Sequence, residues 1–256
     1  MVGARSPFEL SGIRAAVLGA TSGIGRAVAL ALAQAGADVI VHGRKPQVAA
    51  EVARQAAQRG VRSHPLIADL ADHNACDRLV EQAWNLWGGL DAWLQIAGAD
   101  TLTGEAAKLS FDAKLNLLWT VDVVATIRLC REIGRRMRSQ GQGAIITMGW
   151  DQAETGMEGD SGELFAATKA AVMGFTRSLA LSLAPEVRVN ALAPGWIKTA
   201  WGESATTVWH DRVLRETPLR RWGLPDDVAQ VACFLVSPAA AFMTGQIVRI
   251  NGGAIR

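Results

Sequence analysis

Short apolar, β-prone runs alternate along the chain with longer stretches in which apolar residues recur every three or four positions, the period of a helix with one buried face. Residues 14–19 (RAAVLG) read as a strand, and 23–35 as an Ala/Leu-rich helix that stops at Gly36. The same alternation predicts strands over 38–42, 61–67 and 90–96, separated by helices over 46–59 and 72–87. Pro46 suits the first turn of its helix, and Gly60 and the Gly88-Gly89 pair suit the ends of theirs. A long helical pattern covers 111–139, followed by a strand over 144–148, a helix over 163–183 and a strand over 187–192. Residues 199–217 are less regular. A short helix over 225–236 then precedes a last strand over 246–250.

Apolar strands joined through helices imply a parallel sheet covered on both faces. The expected fold is α/β: a single doubly wound, Rossmann-type domain over 1–256, with about seven parallel strands. No linker or low-complexity stretch divides it. In such a sheet ligands bind beyond the carboxyl ends of the strands, where the strand order reverses. The residues just after each strand are therefore the informative ones.

Composition narrows the function. Half of the 256 residues are hydrophobic and 20% are charged, enough apolar material for a large core. Lys and Arg number 26 against 24 Asp and Glu, a formal charge of +2, which gives no electrostatic case for nucleic acid or an anionic membrane. No apolar run approaches a membrane span, and the first residues lack the apolar stretch of a secretory signal. Cys76, Cys130 and Cys233 lie far apart, which fits a reducing compartment better than a disulfide framework or a zinc site. A cytoplasmic location is the expectation. His42, His64, His73 and His210 show no metal-ligand spacing, so no metal is expected. The chain contains no tyrosine.

After the first predicted strand comes Gly19-Ala20-Thr21-Ser22-Gly23-Ile24-Gly25, opening a helix. Glycines there let the backbone approach a pyrophosphate, and the helix aims its free N–H groups at the anion. After the second strand comes Gly43-Arg44-Lys45. An acidic residue in that place would bond a ribose 2′-hydroxyl and mark NAD; two cations suit a 2′-phosphate, hence NADP with NAD the lesser choice. Asp69-Leu70, after the third strand, is placed to meet the adenine. Ala97-Gly98, after the fourth, offers small residues for close passage of a nucleotide.

These motifs, in this order, resemble the short-chain dehydrogenase/reductase family over nearly the whole chain. GATSGIG is similar to the family's glycine motif, and Ala97-Gly98 to the end of its NNAG motif, although Gln95-Ile96 replaces both asparagines. Asn116 is read as the family's helix asparagine. The run from Asn190 to Thr199, with Pro194, Gly195, Ile197 and Thr199, resembles the segment that caps the nicotinamide, and Thr244-Gly245-Gln246 and Asn251-Gly252-Gly253 the C-terminal segment. The resemblance implies carbonyl–alcohol interconversion by hydride transfer on a small-molecule substrate, in a homodimer or homotetramer. It also implies a YxxxK motif whose tyrosine protonates the alkoxide and whose lysine binds the ribose, and a serine after the fifth strand.

Here the motif reads Phe165-Ala166-Ala167-Thr168-Lys169. Phe165 keeps the ring but has no proton to give, and general acid catalysis is worth ~10²–10⁴ in rate. Aligned from the strand, the serine position is Trp150; counted back from Phe165, it falls nearer Gln152. Neither is a serine. An indole N–H can donate a hydrogen bond but not a proton at neutral pH.

The loop after this strand holds Asp151, Glu154, Glu158, Asp160 and Glu163. A carboxyl kept protonated by an apolar surround of Trp150, Phe165 and Trp196 could replace the phenol. Asp151 and Glu163 are the candidates, against the plainer reading of a solvated acidic loop. An iminium substrate, which takes hydride to give a neutral amine, would need no acid at all. Trp201, Trp209, Trp222 and His210 fall in the irregular segment 199–217 or just beyond it, which the resemblance makes a substrate lid. Trp84, Trp87 and Trp93 read as packing residues. Arg128, Arg131, Arg135, Arg136 and Arg138 make one face of the long helix partly basic, a subunit interface by resemblance. Two readings remain: an NADP-dependent oxidoreductase with altered chemistry, or a catalytically silent nucleotide-binding protein serving as sensor or supporting subunit.

Overall fold

Each apolar run becomes a buried strand, and each 3.6-period segment a helix packed on the sheet. The computed structural model describes residues 8–255, so most of the N-terminal stretch expected to be free of a secretory signal lies outside the described residues. The strands are β1 (Arg14–Leu18), β2 (Asp38–Gly43), β3 (Ser63–Ile67), β4 (Ala92–Gln95), β5 (Gly143–Met148), β6 (Val187–Pro194) and β7 (Ile247–Ile250). They form one sheet in the order β3-β2-β1-β4-β5-β6-β7, with every neighbouring pair parallel. The order reverses between β1 and β4, where Leu18 lies opposite Gln95. The crevice at a reversal of this kind is where open α/β sheets bind ligands.

Helices α1 (Gly23–Gln34), α2 (Pro46–Ala57) and α3 (His73–Leu86) follow the first three strands. Pro46 starts α2 as its fixed φ favours, and the Asp72 carboxylate caps α3 by accepting from the Asn74 N–H at 2.8 Å. The expected continuous helix over 111–139 is broken. It consists of α4 (Phe111–Leu118), a π-helical turn over Trp119–Val124, and α5 (Ala125–Gln140). Helix α6 (Asp160–Leu183) is 24 residues long and begins three residues earlier than expected. The segment 199–217 is not irregular but folds as two helices, α7 (Ala200–Ser204) and α8 (Thr207–Glu216). Helix α9 (Pro225–Val236) matches its expected bounds.

Side chains alternate across a strand, which splits the core between the two faces of the sheet. Val17, Val39, Val41, Leu94, Ile146 and Leu192 face α1, α2 and α9. Ala16, Leu18, Ile40, Trp93, Ile145 and Val189 face α3, α5 and α6. Trp93 is fully buried, and Trp84 and Trp87 pack against that second cluster. A third, smaller cluster joins Trp196 to Trp222 and Val213, with Trp201 and Trp209 against them. It fastens α7 and α8 over the carboxyl end of the sheet.

Candidate active site

The carboxyl ends of β1 to β5 surround a cleft of about 570 Å³. Its floor is the turn after β1. Gly19 has φ +79°, and a Cβ there would stand 2.6 Å from Ala97 Cα, so only glycine lets the β1 and β4 ends approach. A Cβ on Gly25 would stand 2.1 Å from the Gly19 carbonyl oxygen. The bare backbone of the turn is therefore open to the cleft, and no side chain among the described residues caps the N-terminus of α1. Thr21, Ser22, Gly23 and Ile24 line the same wall. Backbone donors and a helix dipole placed in this way can hold a phosphate group.

The rim follows the strand order. Arg44 and Asp69-Leu70 line one end, Ala97 and Gly98 the middle, and Thr199 the lid side. A side chain at Gly43 would displace Thr21, whose Cγ2 would lie 2.2 Å from it. Lys45 is exposed and precedes α2, away from the cleft lining. Pro194 is buried at the end of β6, and Gly195 beyond it is half-buried. Ile197, with Trp196, lines a neighbouring cavity of about 560 Å³ between the lid and the Asn251-Gly252-Gly253 turn.

The chemistry-bearing side chains differ from expectation in three places. Asn116 is exposed on α4 and is not beside Lys169. Asp122 is: its Oδ2 lies 2.7 Å from Lys169 Nζ, and its Oδ1 accepts from the Ala99 N–H at 2.7 Å. Asp122 is 2% exposed and sits in the π-helical turn, whose extra residue a 3.6-period count along the sequence does not register. Glu163 is exposed at the first turn of α6, outside the cleft lining. Part of the acidic loop is paired within the chain. Glu154 pairs with Arg177 and Arg249, each at 2.6 Å, and Glu158 with Arg212 at 2.7 Å.

Asp151 behaves differently. It is 1% exposed, lies against Gly195, and accepts from Asn251 Nδ2 at 3.1 Å, while its Oδ1 has no partner among the described residues. Burial raises its pKa to about 6, partly opposed by the bond from Asn251. It lies behind the segment from Pro194 to Ile197 and is not part of the cleft lining. Gln152, the alternative serine position, is buried next to it.

Phe165 lines the cleft with Met148 and Ile96. Trp150 packs edge-on against Phe165, ring centroids 6.3 Å apart. Lys169, one helical turn beyond Phe165, has Asp122 as its partner. Among the tryptophans of the lid only Trp201 reaches the cleft lining. It stacks on Trp196 at 6.1 Å and meets Trp209 at 5.5 Å and Trp222 at 6.0 Å. His210 packs edge-on against Trp222, ring centroids 5.3 Å apart, and is not part of the cleft lining. His42 also lines the cleft, a position that strand parity at the end of β2 could have disclosed.

The family model described as "Enoyl-(Acyl carrier protein) reductase" matches residues 19–254. The 3-oxoacyl-(acyl-carrier-protein) reductase FabG of Aquifex aeolicus (strain VF5) is 34% identical over 96% of this chain and 98% of its own. The chain belongs to the short-chain dehydrogenase/reductase family. A 7α-hydroxysteroid dehydrogenase solved with NADH and 7-oxo glycochenodeoxycholic acid superposes with a TM-score of 0.88 at 29% identity, covering 97% of this chain and 96% of the other. A Beutenbergia cavernae protein described as an NAD(P)-dependent gluconate 5-dehydrogenase, with NADP at low occupancy, gives 0.87 at 35% identity, covering 97% and 99%. Members of this oxidoreductase family thus hold nicotinamide nucleotides in the fold seen here. The turn after β1 fits such a group on its own geometry, because Gly19, Thr21, Ser22, Gly23, Ile24 and Gly25 line the cleft and no side chain among the described residues caps the α1 N-terminus that faces it. Among the described residues no helix is long and apolar enough to cross a membrane, and no group of three or more His, Cys, Asp or Glu is placed to hold a metal.

Proposed function

We propose that this chain binds NADP(H) in the cleft and carries out hydride transfer on a small substrate without a phenolic proton donor, preferring an iminium to a neutral carbonyl. The observation that carries the reading is a glycine turn and an uncapped helix N-terminus beside a wall that offers no acid: Phe165 lines the cleft, and Trp150 backs it. The glycine turn and the N-terminus of α1 would hold the pyrophosphate. Arg44, exposed at the rim, would pair with a 2′-phosphate, and Gly43 leaves no carboxylate there to bind a 2′-hydroxyl.

The nicotinamide nucleotide, when bound, supplies the hydride donor or acceptor. A carbonyl substrate must also gain a proton as its oxygen becomes an alcohol, and Phe165 has none to give. An iminium carries its charge into the cleft and leaves as a neutral amine, so it asks no acid of the chain. The internal pairing of Glu154 and Glu158 weakens the acidic loop as a means of attracting that cation. What chiefly favours the iminium is the wall of Phe165 and Trp150, which has no proton to transfer. For a carbonyl, Asp151 is the one buried carboxyl near the nicotinamide-capping segment with a raised pKa, and it would have to act from behind that segment.

A catalytically silent, NADP-binding role has its own support. Asp122 holds the Lys169 ammonium at 2.7 Å, and Trp150 closes on Phe165. Fluorescence titration with NADPH and NADH, followed by a panel of carbonyls and imines, separates these readings. Binding with imine-dependent NADPH oxidation supports the enzyme, and binding without turnover on any member supports the silent protein. Arg44→Ser is expected to weaken NADPH binding by about 10- to 100-fold, the worth of one charged hydrogen-bonding contact, while leaving NADH nearly unchanged. Equal losses for both nucleotides would remove the assignment of Arg44 to a 2′-phosphate.

A further inference from the structure

His42 stands at the end of β2, 2% exposed, in the wall of the nucleotide cleft. Its side chain is used at both nitrogens. The Gly19 N–H donates to Nδ1 at 3.3 Å, and Nε2 lies 3.2 Å from the Ala68 carbonyl oxygen. A carbonyl only accepts, so Nε2 carries the proton and Nδ1 is the free acceptor: the ring is neutral, with the Nε2–H tautomer. The His42 carbonyl also accepts from the Ala20 N–H at 2.9 Å. One residue therefore holds the first two amides of the glycine turn and ties them to the chain leaving β3, just before Asp69 and Leu70.

We infer that His42 is a positioning residue for the nucleotide: its neutral imidazole fixes the Gly19 turn against the Ala68–Leu70 segment, so that the two walls of the cradle are held at their binding separation before a ligand arrives. This inference rests on the reading of the cleft as a nucleotide site. Two alternatives are less consistent with the geometry. Packing alone would be served by any pair of buried partners, whereas these two lie on separate walls of the cleft, and a histidine that touched the ligand through a ring nitrogen has neither nitrogen to spare. Burial holds its pKa down to about 4, with the bond to Ala68 and the charge of Asp69 opposing and Arg44 assisting. The acceptor at Nδ1 is thus intact at neutral pH. Fixing the turn in advance lowers the ordering cost of binding, the general route by which preorganisation raises affinity.

Two substitutions separate hydrogen bonding from packing. His42→Leu fills a similar volume but leaves the Gly19 N–H and the Ala68 carbonyl without partners. His42→Asn is smaller but places an amide oxygen near the position of Nδ1, able to accept from Gly19. In titrations of the full chain with NADPH, His42→Leu is expected to raise Kd by about tenfold, and His42→Asn to stay within about threefold of wild type. Leucine binding as wild type, or asparagine as weak as leucine, would overturn the inference. Nitrogen-15 NMR of the wild-type imidazole is the second measurement, free of any variant's folding and of any ligand. Nδ1 should be unprotonated and Nε2 protonated at pH 7; the opposite tautomer, or an averaged pair, would contradict the assignment. A wild-type chain that shows the expected tautomer but binds neither NADPH nor NADH would refute the nucleotide reading and leave the clamp itself standing.

Discussion

At the scale of single residues, the proton question rests on two side chains, Phe165 in the cleft lining and Asp151 outside it. Phe165 has the ring volume of a phenol without its acid. Asp151 has an acid displaced from the cleft lining. The sequence disclosed the first fully, because a chain without tyrosine leaves no alignment that supplies one. It could not disclose the second, since whether a loop carboxylate is buried depends on what packs against it: Asn251 here, a hundred residues away. Burial sets the pH behaviour of Asp151. Its folded pKa of about 6 lies above the unfolded value of about 3.9. The folded state binds the proton more tightly, so its contribution to stability is complete below about pH 4 and is lost as pH rises through about 6. Asp151→Asn keeps an acceptor for Asn251 and cannot ionise. In urea denaturation it should be more stable than wild type at pH 8, by on the order of 2 kcal/mol. The difference should vanish near pH 4. Equal stabilities at pH 8 would show that the buried carboxylate costs nothing.

At the scale of elements, two segments put the decisive groups in place. Helix α6 sets Phe165 and Lys169 one turn apart on the same side. The π-helical turn over Trp119–Val124 brings Asp122 to Lys169. The strands, most helices and the nucleotide motif were legible because period and turn residues record them locally. The π-helical turn was not. An extra residue rotates the downstream part of the helix by about 100° relative to a regular one, and nothing in the apolar pattern of 111–139 marks it. Asn116 precedes that turn, on the exposed side of α4, whereas Asp122 lies within the turn. Asp122→Ala would leave a buried ammonium unpaired and should cost about 3–5 kcal/mol in urea denaturation. Asp122→Asn, which preserves the acceptor for the Ala99 N–H, should cost less. A loss below about 1 kcal/mol for Asp122→Ala would mean that Lys169 finds water or another partner. The lid helices escaped the sequence for a related reason. They are held by a tertiary cluster of four indoles, not by a local period.

At the scale of the whole molecule, topology and function meet at the reversal between β1 and β4, and that much follows from repeated strand–helix units. Quaternary structure is less direct. The basic face of α5 is largely answered within the chain: Arg128 pairs with Asp77, Arg135 and Arg136 with Glu132, and Arg138 with Glu186. It therefore offers little free charge to a partner. Phe111 and Trp119 are each exposed, at the start of α4 and of the π-helical turn, and exposed aromatic rings are suited to cover by a partner. We propose a homodimer or homotetramer in which the run 111–119 meets a partner. Light scattering at micromolar concentration should give one of those masses, and Phe111→Ser with Trp119→Ser should shift it downward. A monomeric wild type would contradict the assignment. The central claim, a nucleotide cradle retained while phenol-based chemistry is gone, is tested most directly by single-turnover oxidation of bound NADPH. A cyclic iminium and the ketone of the same ring would be compared in wild type and Phe165→Tyr. The account predicts oxidation with the iminium, at least about 100-fold slower oxidation with the ketone, and a narrower gap in Phe165→Tyr. Wild-type oxidation with neither, or equally fast with both, would contradict it.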